Sequence, residues 1–527
     1  MKSDHRAKRR LLTGVFVASS VAMIVPITAA AKPPIPQQAC DQRDNNSYTK
    51  LLECVRVDGV KEHLAALQAI ADEEENNGTR ADQTPGFLDS VDYVYNTMAA
   101  AGWDVEKVPF EYDAITLATE QVTPTPTSYF SIPALGTGEG NVTAGITPVD
   151  INLTPPRANT SGCEPGDFTG FPSGNIALVQ RGTCNFTVKV ANAEAAGATA
   201  VIIFNQGNTP DREPANLRPD LTTDPADVPV VFVSFQDGEA LSAALTAHVQ
   251  IDFFTATSYN VIADLHGVND SNIVMAGAHL DSVPAGPGIN DNGSGSATLL
   301  EVGQQLAHHV PQNTIRFAWW GAEELGLIGS TAWVDQQLEA GTLDEIALYM
   351  NFDMVGSPNY IFMVYDADQS TFVAPVDVPA GSEDIEEAFE AYYSWAGVPY
   401  DDSEFSGRSD YQAFIENGIP SSGLFTGAEE HKTQEQAAIW GGEWDDPATP
   451  ADDQASWFDP CYHQACDTIE NVDDHALDVN ADAVAFAILK YSYSTESVNG
   501  VPGVPVPGRF VLPTLDGPQG TFPDETP

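Results

Sequence analysis

The sequence is poor in basic residues: 22 Lys and Arg stand against 75 Asp and Glu, which gives a formal net charge of −53. A chain of this charge repels the phosphates of nucleic acids, so a nucleic-acid-binding function is disfavoured. The acidic residues are spread along the chain and are not gathered in one tail. They predict a hydrated, self-repelling surface suited to a salty medium, and the alternative is an acidic surface that recruits basic substrates.

Cysteine is also scarce, and no two of the six cysteines have the Cys-X-X-Cys spacing of a thiolate metal site. A metal bound by cysteine is therefore disfavoured. Six cysteines in an exported protein suit three disulfide bonds, and the spacing favours three local ones. The predicted pairs are Cys40–Cys54, Cys163–Cys184 and Cys461–Cys466.

Long apolar runs are missing beyond the first thirty residues, so no later segment is expected to span a bilayer. Basic residues up to Arg10 precede an apolar run from Leu11 to Ile27, and three alanines end the segment at Ala31. This order of basic, apolar and small residues predicts a signal peptide over residues 1–31. A retained anchor is disfavoured because polar residues and Pro26 interrupt the run. We therefore expect a secreted protein, extracellular or periplasmic, with no membrane attachment after removal of the leader.

Two helices and a strand are predicted in residues 32–121. Apolar residues at helical spacing indicate helices over Val60–Glu73 and Pro85–Ala101, and Gly102 is a stop signal for the second. The run Trp103–Tyr112 is typical of a strand. Because these three elements cannot close a core alone, we expect them to pack on a later part of the chain.

Residues 122–255 consist mainly of short β-prone runs separated by Gly, Pro and Asn, which predicts a separate small module. Examples are Asn175–Gln180 and Val228–Ser234, and one helical stretch, Val188–Ala196, leads into Ala200–Phe204. From residue 256 to 497 strands alternate with helices, which predicts an α/β sandwich with a mostly parallel or mixed sheet. The predicted elements there are strands over Asn260–Leu265, Asn272–Ala278, Thr314–Trp320 and Ile346–Phe352 and helices over Gly295–His309 and Ile328–Ala340. The Pro- and Gly-rich residues 498–527 predict a flexible tail.

Polar residues stand at the ends of these predicted strands, where open α/β sheets place ligand sites. His279 and Asp281 are two apart at a strand end, so Asp281 can orient the His279 ring. Taken singly, each such residue has a structural explanation, since an Asp in an Asn-Asp-Asn-Gly loop is usually a turn former. Their recurrence at successive strand ends favours a common site. The candidates are His279, Asp281, Asp291, Glu323, Glu324, Asp353 and His463.

These side chains suit zinc, which binds imidazole and carboxylate groups. Two histidines cannot complete one closed site with so many carboxylates left over, whereas two metals that share a carboxylate can use all of them. Because the adjacent Glu323 and Glu324 point in different directions, one can bind metal while the other transfers protons. Two metals that share a water would lower the pKa of that water.

Five segments together resemble the secreted M28 zinc aminopeptidases, close to the leucine-preferring enzymes of Streptomyces type. The segments are residues 277–283 (GAHLDSV), 288–295 (GINDNGSG), 320–330 (WGAEELGLIGS), 351–359 (NFDMVGSPN) and 459–467 (DPCYHQACD). The likeness extends to the N-terminal helices and to residues 406–411 (SGRSDY). It implies an α/β fold of the phosphorylase/hydrolase-like type, a mixed-sheet sandwich, with an inserted β-rich protease-associated (PA) domain at residues 122–255.

The resemblance also implies a role for each residue at the site. One zinc would be held by His279 and Asp353, the other by Glu324 and His463, and Asp291 would bridge the two. Glu323 would be the general base and Asp281 the partner of His279. Tyr462 would steady the oxyanion, and Arg408 would line the substrate site. In some relatives calcium binds near residues matching Asp478 and Asp482, but the N-terminal partners of that site do not align cleanly with this sequence.

The PA-domain likeness rests on residues 162–165 (GCEP), 174–186 (GNIALVQRGTCNF) and the stretch from Lys189 to Gly197. Such a domain is suggested to cap the cleft or to restrict substrates, and an inert surface insertion is the alternative. As a whole the sequence predicts a monomeric, di-zinc aminopeptidase that acts on peptides with a free N-terminus, and the resemblance implies a preference for hydrophobic, leucine-like residues. The alternatives are a di-zinc carboxypeptidase or deacylase of the same fold, and an inactive binding protein.

Overall fold

A computed structural model describes residues 36–40, 42–445, 453–515 and 517–519. The predicted signal peptide, residues 1–31, lies outside the described residues. None of the helices in the described ranges has both the length and the apolar character needed to cross a membrane.

Helices and strands alternate along most of the described chain. The α-helices are α1 (Gln37–Cys40), α2 (Tyr48–Leu52), α3 (Val57–Ala71), α4 (Pro85–Ala101), α5 (Phe186–Ala195), α6 (Phe235–Leu241), α7 (Gly295–Leu306), α8 (Ile328–Ala340), α9 (Ser382–Ala396), α10 (Gln412–Glu416), α11 (Gln434–Trp440), α12 (Asp474–Tyr493) and α13 (Glu496–Asn499). The strands are β1 (Asp104–Thr123), β2 (Thr127–Ser128), β3 (Ile132–Pro133), β4 (Gly140–Pro148), β5 (Ile176–Gln180), β6 (Ala200–Phe204), β7 (Val230–Val233), β8 (Thr246–Leu265), β9 (Asn269–His279), β10 (Asn313–Trp320), β11 (Ile346–Phe352), β12 (Met363–Tyr365), β13 (Asp401–Ser403) and β14 (Ser421–Phe425).

The larger region is built on a mixed sheet in the order β13-β12-β14-β11-β9-β10-β8, with β1 pairing along β8. Strands β14, β11, β9 and β10 are parallel to one another, whereas β8 is antiparallel to β10 and β12 is antiparallel to β14. Parallel neighbours present their carboxyl ends at one edge of the sheet. The loops after β9, β10 and β11 are therefore brought together at that edge.

Alternate side chains of the central strands face two separate cores, as the two-residue period of a strand requires. On β10, Phe317 and Trp319 belong to the core shared with α3, α4, α7, α9 and α12, whereas Trp320 belongs to the core shared with α8 and α10. In the second core the ring of Phe414 packs beside Trp320 and Trp333. The sheet is thus covered by helices on both faces, and only its edges are left for a site.

A smaller β-rich region is inserted through the long antiparallel pair formed by β1 and β8, which extends from Asp104 opposite Asp264 to Thr123 opposite Thr246. Its own sheet has the order β8-β4-β5-β6-β7-β3, in which β4 to β7 are parallel neighbours. Its two faces each cover a separate apolar core.

The predicted α/β fold with a mixed sheet and an inserted β-rich module is confirmed, and so are all three disulfide pairs. The strand predicted over Trp103–Tyr112 continues to Thr123, because its pairing with β8 extends beyond the run of strong strand formers. The domain boundaries at 121/122 and 255/256 fall inside this pair of strands and stay predictions. In the predicted tail, Phe510 contacts the rings of Tyr48 and Trp395.

Candidate active site

Five candidate ligands and Glu323 come together at the carboxyl edge of the larger sheet. His279 is the last residue of β9, Glu323 and Glu324 follow β10, and Asp353 follows β11. These strands are adjacent and parallel, so residues of different strands that are 29 to 74 positions apart in sequence meet at one edge. Asp291 comes from the turn between β9 and α7, and His463 from the loop closed by Cys461 and Cys466.

Asp291 lies between the two histidines with one carboxylate oxygen near each ring. Its Oδ1 is 3.2 Å from Nε2 of His279, and its Oδ2 is 3.3 Å from Nε2 of His463. Nε2 of His279 is also 3.3 Å from Oδ1 of Asp353, and Nε2 of His463 is 3.0 Å from Oε2 of Glu324. Each imidazole therefore shares Asp291 and has one further carboxylate of its own.

Glu323 lies near the same histidine as Asp353. Its Oε2 is 3.9 Å from Nε2 of His279. Ligand atoms of His279, Glu323 and Asp353 lie within 4.8 Å of one another, and so do those of His279, Asp291 and Glu324. These distances by themselves allow Glu323 to be a ligand or a base, so its role stays a prediction.

Asp281 is fully buried beneath the site and contacts the His279 ring and the backbone of Glu323 and Glu324. The ring nitrogen Nδ1 of His279 is 3.1 Å from the backbone oxygen of Asp281 and 3.7 Å from its Oδ1. The backbone N–H groups of Glu323 and Glu324 donate to Oδ1 and Oδ2 of Asp281, at 3.1 and 3.3 Å. One carboxylate thus faces the far side of the His279 ring and fixes the turn that carries both glutamates.

Backbone conformation is unusual at three positions in or next to the site residues. Ala322, Met354 and His463 have φ of 55°, 52° and 57°, in the left-handed region that favours glycine. Ala322 precedes the glutamate pair and Met354 follows Asp353, while His463 is itself a candidate ligand. Non-glycine residues with such φ values concentrate at functional sites, where the surrounding structure compensates for the strain.

The site carries an excess of negative charge. Burial, followed by the neighbouring carboxylate of Asp291, raises the pKa of Glu324 to about 7. Burial by itself would lower the pKa of His463, but its contacts with Asp291 and Glu324 outweigh burial and raise it to about 10. Without metal, Glu324 and His463 therefore bind protons more readily than usual. A bound metal cation would displace these protons.

Two carboxylate oxygens of the candidate ligands, Oε1 of Glu324 and Oδ1 of Asp353, are buried and accept no hydrogen bond from the described residues. The other oxygen of Asp353 accepts a hydrogen bond of 2.6 Å from the hydroxyl of Ser409. Buried anionic oxygens without a donor are costly unless a cation neutralises them. Together with two imidazoles this donor set fits zinc.

Several supporting residues were not singled out from the sequence. The buried guanidinium of Arg80 donates to the backbone oxygens of Leu280, Pro287 and Gly288, which precede the turn that carries Asp291. Asp467 accepts from the backbone N–H of Asp291 at 3.0 Å. No local pattern marks Arg80, because its partners are 200 or more positions away. Asp467 belongs to the segment 459–467, whose resemblance implies no role for it.

Asp410 is another buried carboxyl that the sequence analysis assigned no role. Burial, chiefly, and the neighbouring carboxylates of Asp353 and Asp281 raise its pKa to about 7. Asp410 and Ser409 both belong to the quoted segment 406–411, and their position beside Asp353 follows only from the fold.

A cavity of about 320 Å³ opens beside the candidate ligands. Tyr462 and Arg408 line it, and Arg408 donates to the Tyr462 hydroxyl at 3.2 Å and pairs with Glu429 at 2.9 Å. Burial and the nearby carboxylates of Asp291 and Glu429 raise the pKa of Tyr462. Its hydroxyl therefore stays protonated at neutral pH and can donate a hydrogen bond into the cavity.

Known proteins are similar to this chain in both sequence and fold. The family model for peptidase family M28 matches residues 260–488, and the PA domain model matches residues 149–241. An aminopeptidase of Pseudomonas aeruginosa is 44% identical over 462 residues, which cover 85% of this chain and 83% of that protein. Leucine aminopeptidase 2 of Trichophyton rubrum is 37% identical over 435 residues, with coverages of 80% and 81%.

Among solved structures, a zinc aminopeptidase from Bacillus subtilis has 27% identity and a TM-score of 0.57, and the match covers 82% of this chain and 94% of that one. The chain belongs to peptidase family M28 and contains a PA domain. Its relatives place it among the aminopeptidases of that family.

Proposed function

We propose that this protein is a secreted aminopeptidase that holds two zinc ions and releases hydrophobic N-terminal residues from peptides. The observation that carries the proposal is the position of Asp291, whose two oxygens face two different imidazoles at 3.2 and 3.3 Å. A carboxylate in this position suits a bridge between two metals. The zinc and aminopeptidase descriptions of the relatives support the same conclusion.

In this proposal His279 and Asp353 hold one zinc, Glu324 and His463 hold the other, and Asp291 contributes to both. Bound zinc supplies a water of lowered pKa and a Lewis acid for a carbonyl oxygen. Asp281 keeps the His279 ring oriented, as its contact with Nδ1 supports.

The chain's own groups then transfer the proton and stabilise charge. Glu323 accepts the proton of the attacking water and returns it to the departing amine, first as a base and then as an acid. The hydroxyl of Tyr462 donates a hydrogen bond to the oxyanion that develops on the scissile carbonyl. The carboxylates of Glu323 and Asp353 are the candidate partners of the substrate's α-amine. Because this contact requires a free α-amine, it restricts cleavage to the N-terminus.

The preference for hydrophobic residues is supported by the wall of the cavity and by the leucine aminopeptidases among the relatives. Leu327, Tyr365, Tyr411 and Phe425 supply apolar surface beside the site, and Arg408 borders it. A panel of aminoacyl p-nitroanilides tests this part. We expect leucine to have the highest kcat/KM, and a faster reaction with an acidic residue would refute the preference.

Aminopeptidase activity is tested by comparing leucine p-nitroanilide with its N-acetyl derivative. Hydrolysis of the free-amine substrate only, abolished by a chelator and restored by zinc, is the expected result. Cleavage of N-blocked substrates would favour the alternative, a carboxypeptidase or deacylase. Zinc content near two per chain is expected, and a protein that holds no zinc and hydrolyses neither substrate would be an inactive binding protein.

Export is supported by the leader-like sequence of residues 1–31 and by the three disulfides, which persist in oxidising compartments. N-terminal sequencing of the protein from the culture medium or periplasm tests it. The expected N-terminus is Lys32, and a cell-bound protein that retains the leader would contradict export.

A further inference from the structure

A second group of carboxylates lies outside the active site, where β12 and β13 meet α9. We call it the acidic cluster, and its members are Asp366, Asp368, Glu386, Glu390 and Asp402. Ligand atoms of Asp366, Asp368 and Glu386 lie within 4.8 Å of one another, and so do those of Glu386, Glu390 and Asp402. Glu386 belongs to both groups, so the five residues form one continuous cluster.

Three elements bring these residues together. Asp366 follows the last residue of β12, and Asp402 lies on β13 opposite Val364 of β12. Glu386 and Glu390 are one turn apart on α9, so they lie on the same face of that helix. The cluster therefore depends on the packing of α9 against the sheet edge.

Part of the cluster is anchored by the backbone. Both oxygens of Asp366 accept hydrogen bonds from N–H groups of the following loop, among them those of Ser370 and Thr371 at 2.9 Å. Oε2 of Glu386 accepts from the N–H groups of Ala367 and Asp368 at 3.0 and 2.9 Å. These bonds fix the loop around the cluster.

One buried oxygen of the cluster, Oδ1 of Asp402, accepts no hydrogen bond from the described residues. Asp402 is fully buried; its Oδ2 accepts hydrogen bonds from the hydroxyls of Ser370 and Thr371, whereas its Oδ1 has no donor among the described residues. One oxygen of Asp402 lies within 4.8 Å of ligand atoms of Glu386 and Glu390, so this buried carboxyl adjoins two further carboxyl groups. A buried acceptor of this kind is costly unless a cation binds it.

Within the described residues, no basic side chain forms an ion pair with the cluster. In the described part of the chain, none of its five carboxylates is within 4.0 Å of a Lys, Arg or His nitrogen. Burial and the neighbouring carboxylates raise the pKa of Glu386 to about 9 and that of Glu390 to about 7. The cluster thus takes up positive charge from solution, either as protons or as a metal ion.

We propose that the acidic cluster binds one Ca²⁺ ion. All of its donors are oxygens, and Ca²⁺ takes six to eight oxygen ligands, in contrast to the imidazole-containing zinc site. The site is separate from Asp478 and Asp482, which lie on α12. Tyr365 and Ser403, which adjoin Asp366 and Asp402, line the active-site cavity, so a bound ion would stabilise that wall of the cavity.

The test uses the full-length, zinc-loaded protein freed of calcium, with zinc held constant. CaCl₂ is titrated by isothermal calorimetry, and Tm is followed in parallel. We expect saturable binding and a rise of Tm with calcium. Glu390→Gln and Asp402→Asn are each expected to weaken Ca²⁺ binding at least about tenfold, because each removes one charged ligand.

Two matched controls identify the site. Glu75→Gln alters an exposed acidic group formed with Glu73 and Asp89, and Asp478→Asn alters the acidic pair of α12. Both are expected to keep the cluster's calcium binding. The proposal is overturned if the wild-type protein binds no Ca²⁺ at millimolar concentration, or if Glu390→Gln binds it as wild type does. Glu390 is only half-buried, so this variant decides the question even if Asp402→Asn fails to fold.

Discussion

At the residue scale, Glu323 and Glu324 are neighbours in sequence but approach different histidines. Oε2 of Glu324 is 3.0 Å from His463, while Oε2 of Glu323 is 3.9 Å from His279. Asp281 holds both backbone N–H groups, so the two side chains diverge from one fixed turn. The proposed division between a ligand and a base depends on this divergence, and substitution of each residue separately can test it.

Glu323→Gln is expected to keep about two zinc ions per chain while kcat falls about 10²–10⁴-fold, because the base is lost but no ligand is. The matched variant Glu324→Gln is expected to lose zinc as well as activity. Metal analysis and leucine p-nitroanilide kinetics measure both quantities. Full activity of Glu323→Gln would exclude Glu323 as the base, and loss of zinc from it would assign Glu323 as a ligand.

Zinc uptake by the metal-free protein is expected to strengthen as pH rises. Without metal the pKa of His463 is raised to about 10 and that of Glu324 to about 7, so at neutral pH His463 is protonated and Glu324 is partly protonated. A metal ligand must lose its proton, and zinc binding therefore releases protons. Calorimetric titration of zinc in buffers of different ionisation enthalpy measures this release between pH 6 and 9. A zinc affinity independent of pH would contradict the prediction.

At the scale of elements, the loop between Cys461 and Cys466 holds two functional candidates at once. Tyr462 and His463 stack at 3.8 Å between ring centroids, and the left-handed φ of His463 is maintained within a loop closed by a disulfide. The position of the His463 ring, which faces Asp291 and Glu324, therefore depends on the Cys461–Cys466 disulfide more than on a helix or strand.

Removal of this disulfide by Cys461→Ser with Cys466→Ser is expected to weaken the binding of one zinc and to lower kcat/KM by at least about tenfold, since ligands of preorganised metal sites lose affinity when their support is removed. The matched control is Cys163→Ser with Cys184→Ser in the inserted module, which is expected to keep the zinc content. Zinc affinity by competition with a chelator distinguishes the two variants. Equal effects in both would show that the loss follows from general destabilisation.

At the scale of the whole molecule, the excess of acidic residues is the dominant electrostatic feature. A formal net charge of −53 favours expansion, because like charges repel each other over a compact surface. Salt screens this repulsion, and the screening length shortens from roughly 30 Å at 0.01 M to roughly 3 Å at 1 M ionic strength.

We therefore expect Tm to rise as NaCl is increased from low to molar concentration at fixed zinc and calcium. Differential scanning calorimetry measures the shift, and KCl at the same ionic strength is expected to give the same rise. A sucrose series of equal osmolality separates screening from solute exclusion. A Tm that is unchanged or lower in salt would mean that repulsion contributes little to stability.

The sequence by itself determined several of the local elements and the candidate residues. Periodicity located α4, α8, β6 and β11, because each has an apolar pattern and clear start or stop signals. The recurrence of acid and imidazole side chains at strand ends indicates a metal site from the sequence. Every residue of that proposed set lies at one edge of the sheet.

Only the tertiary structure decided which of these residues face each other. The parallel order of β10, β9 and β11 brings Glu323, His279 and Asp353 together, and no local signal encodes strand order. The contacts of Arg80 and of the acidic cluster likewise form only in the folded chain, since their partners are distant in sequence. Local patterns report the backbone's preferences, whereas a site is formed by contacts between segments that the whole fold must first bring together.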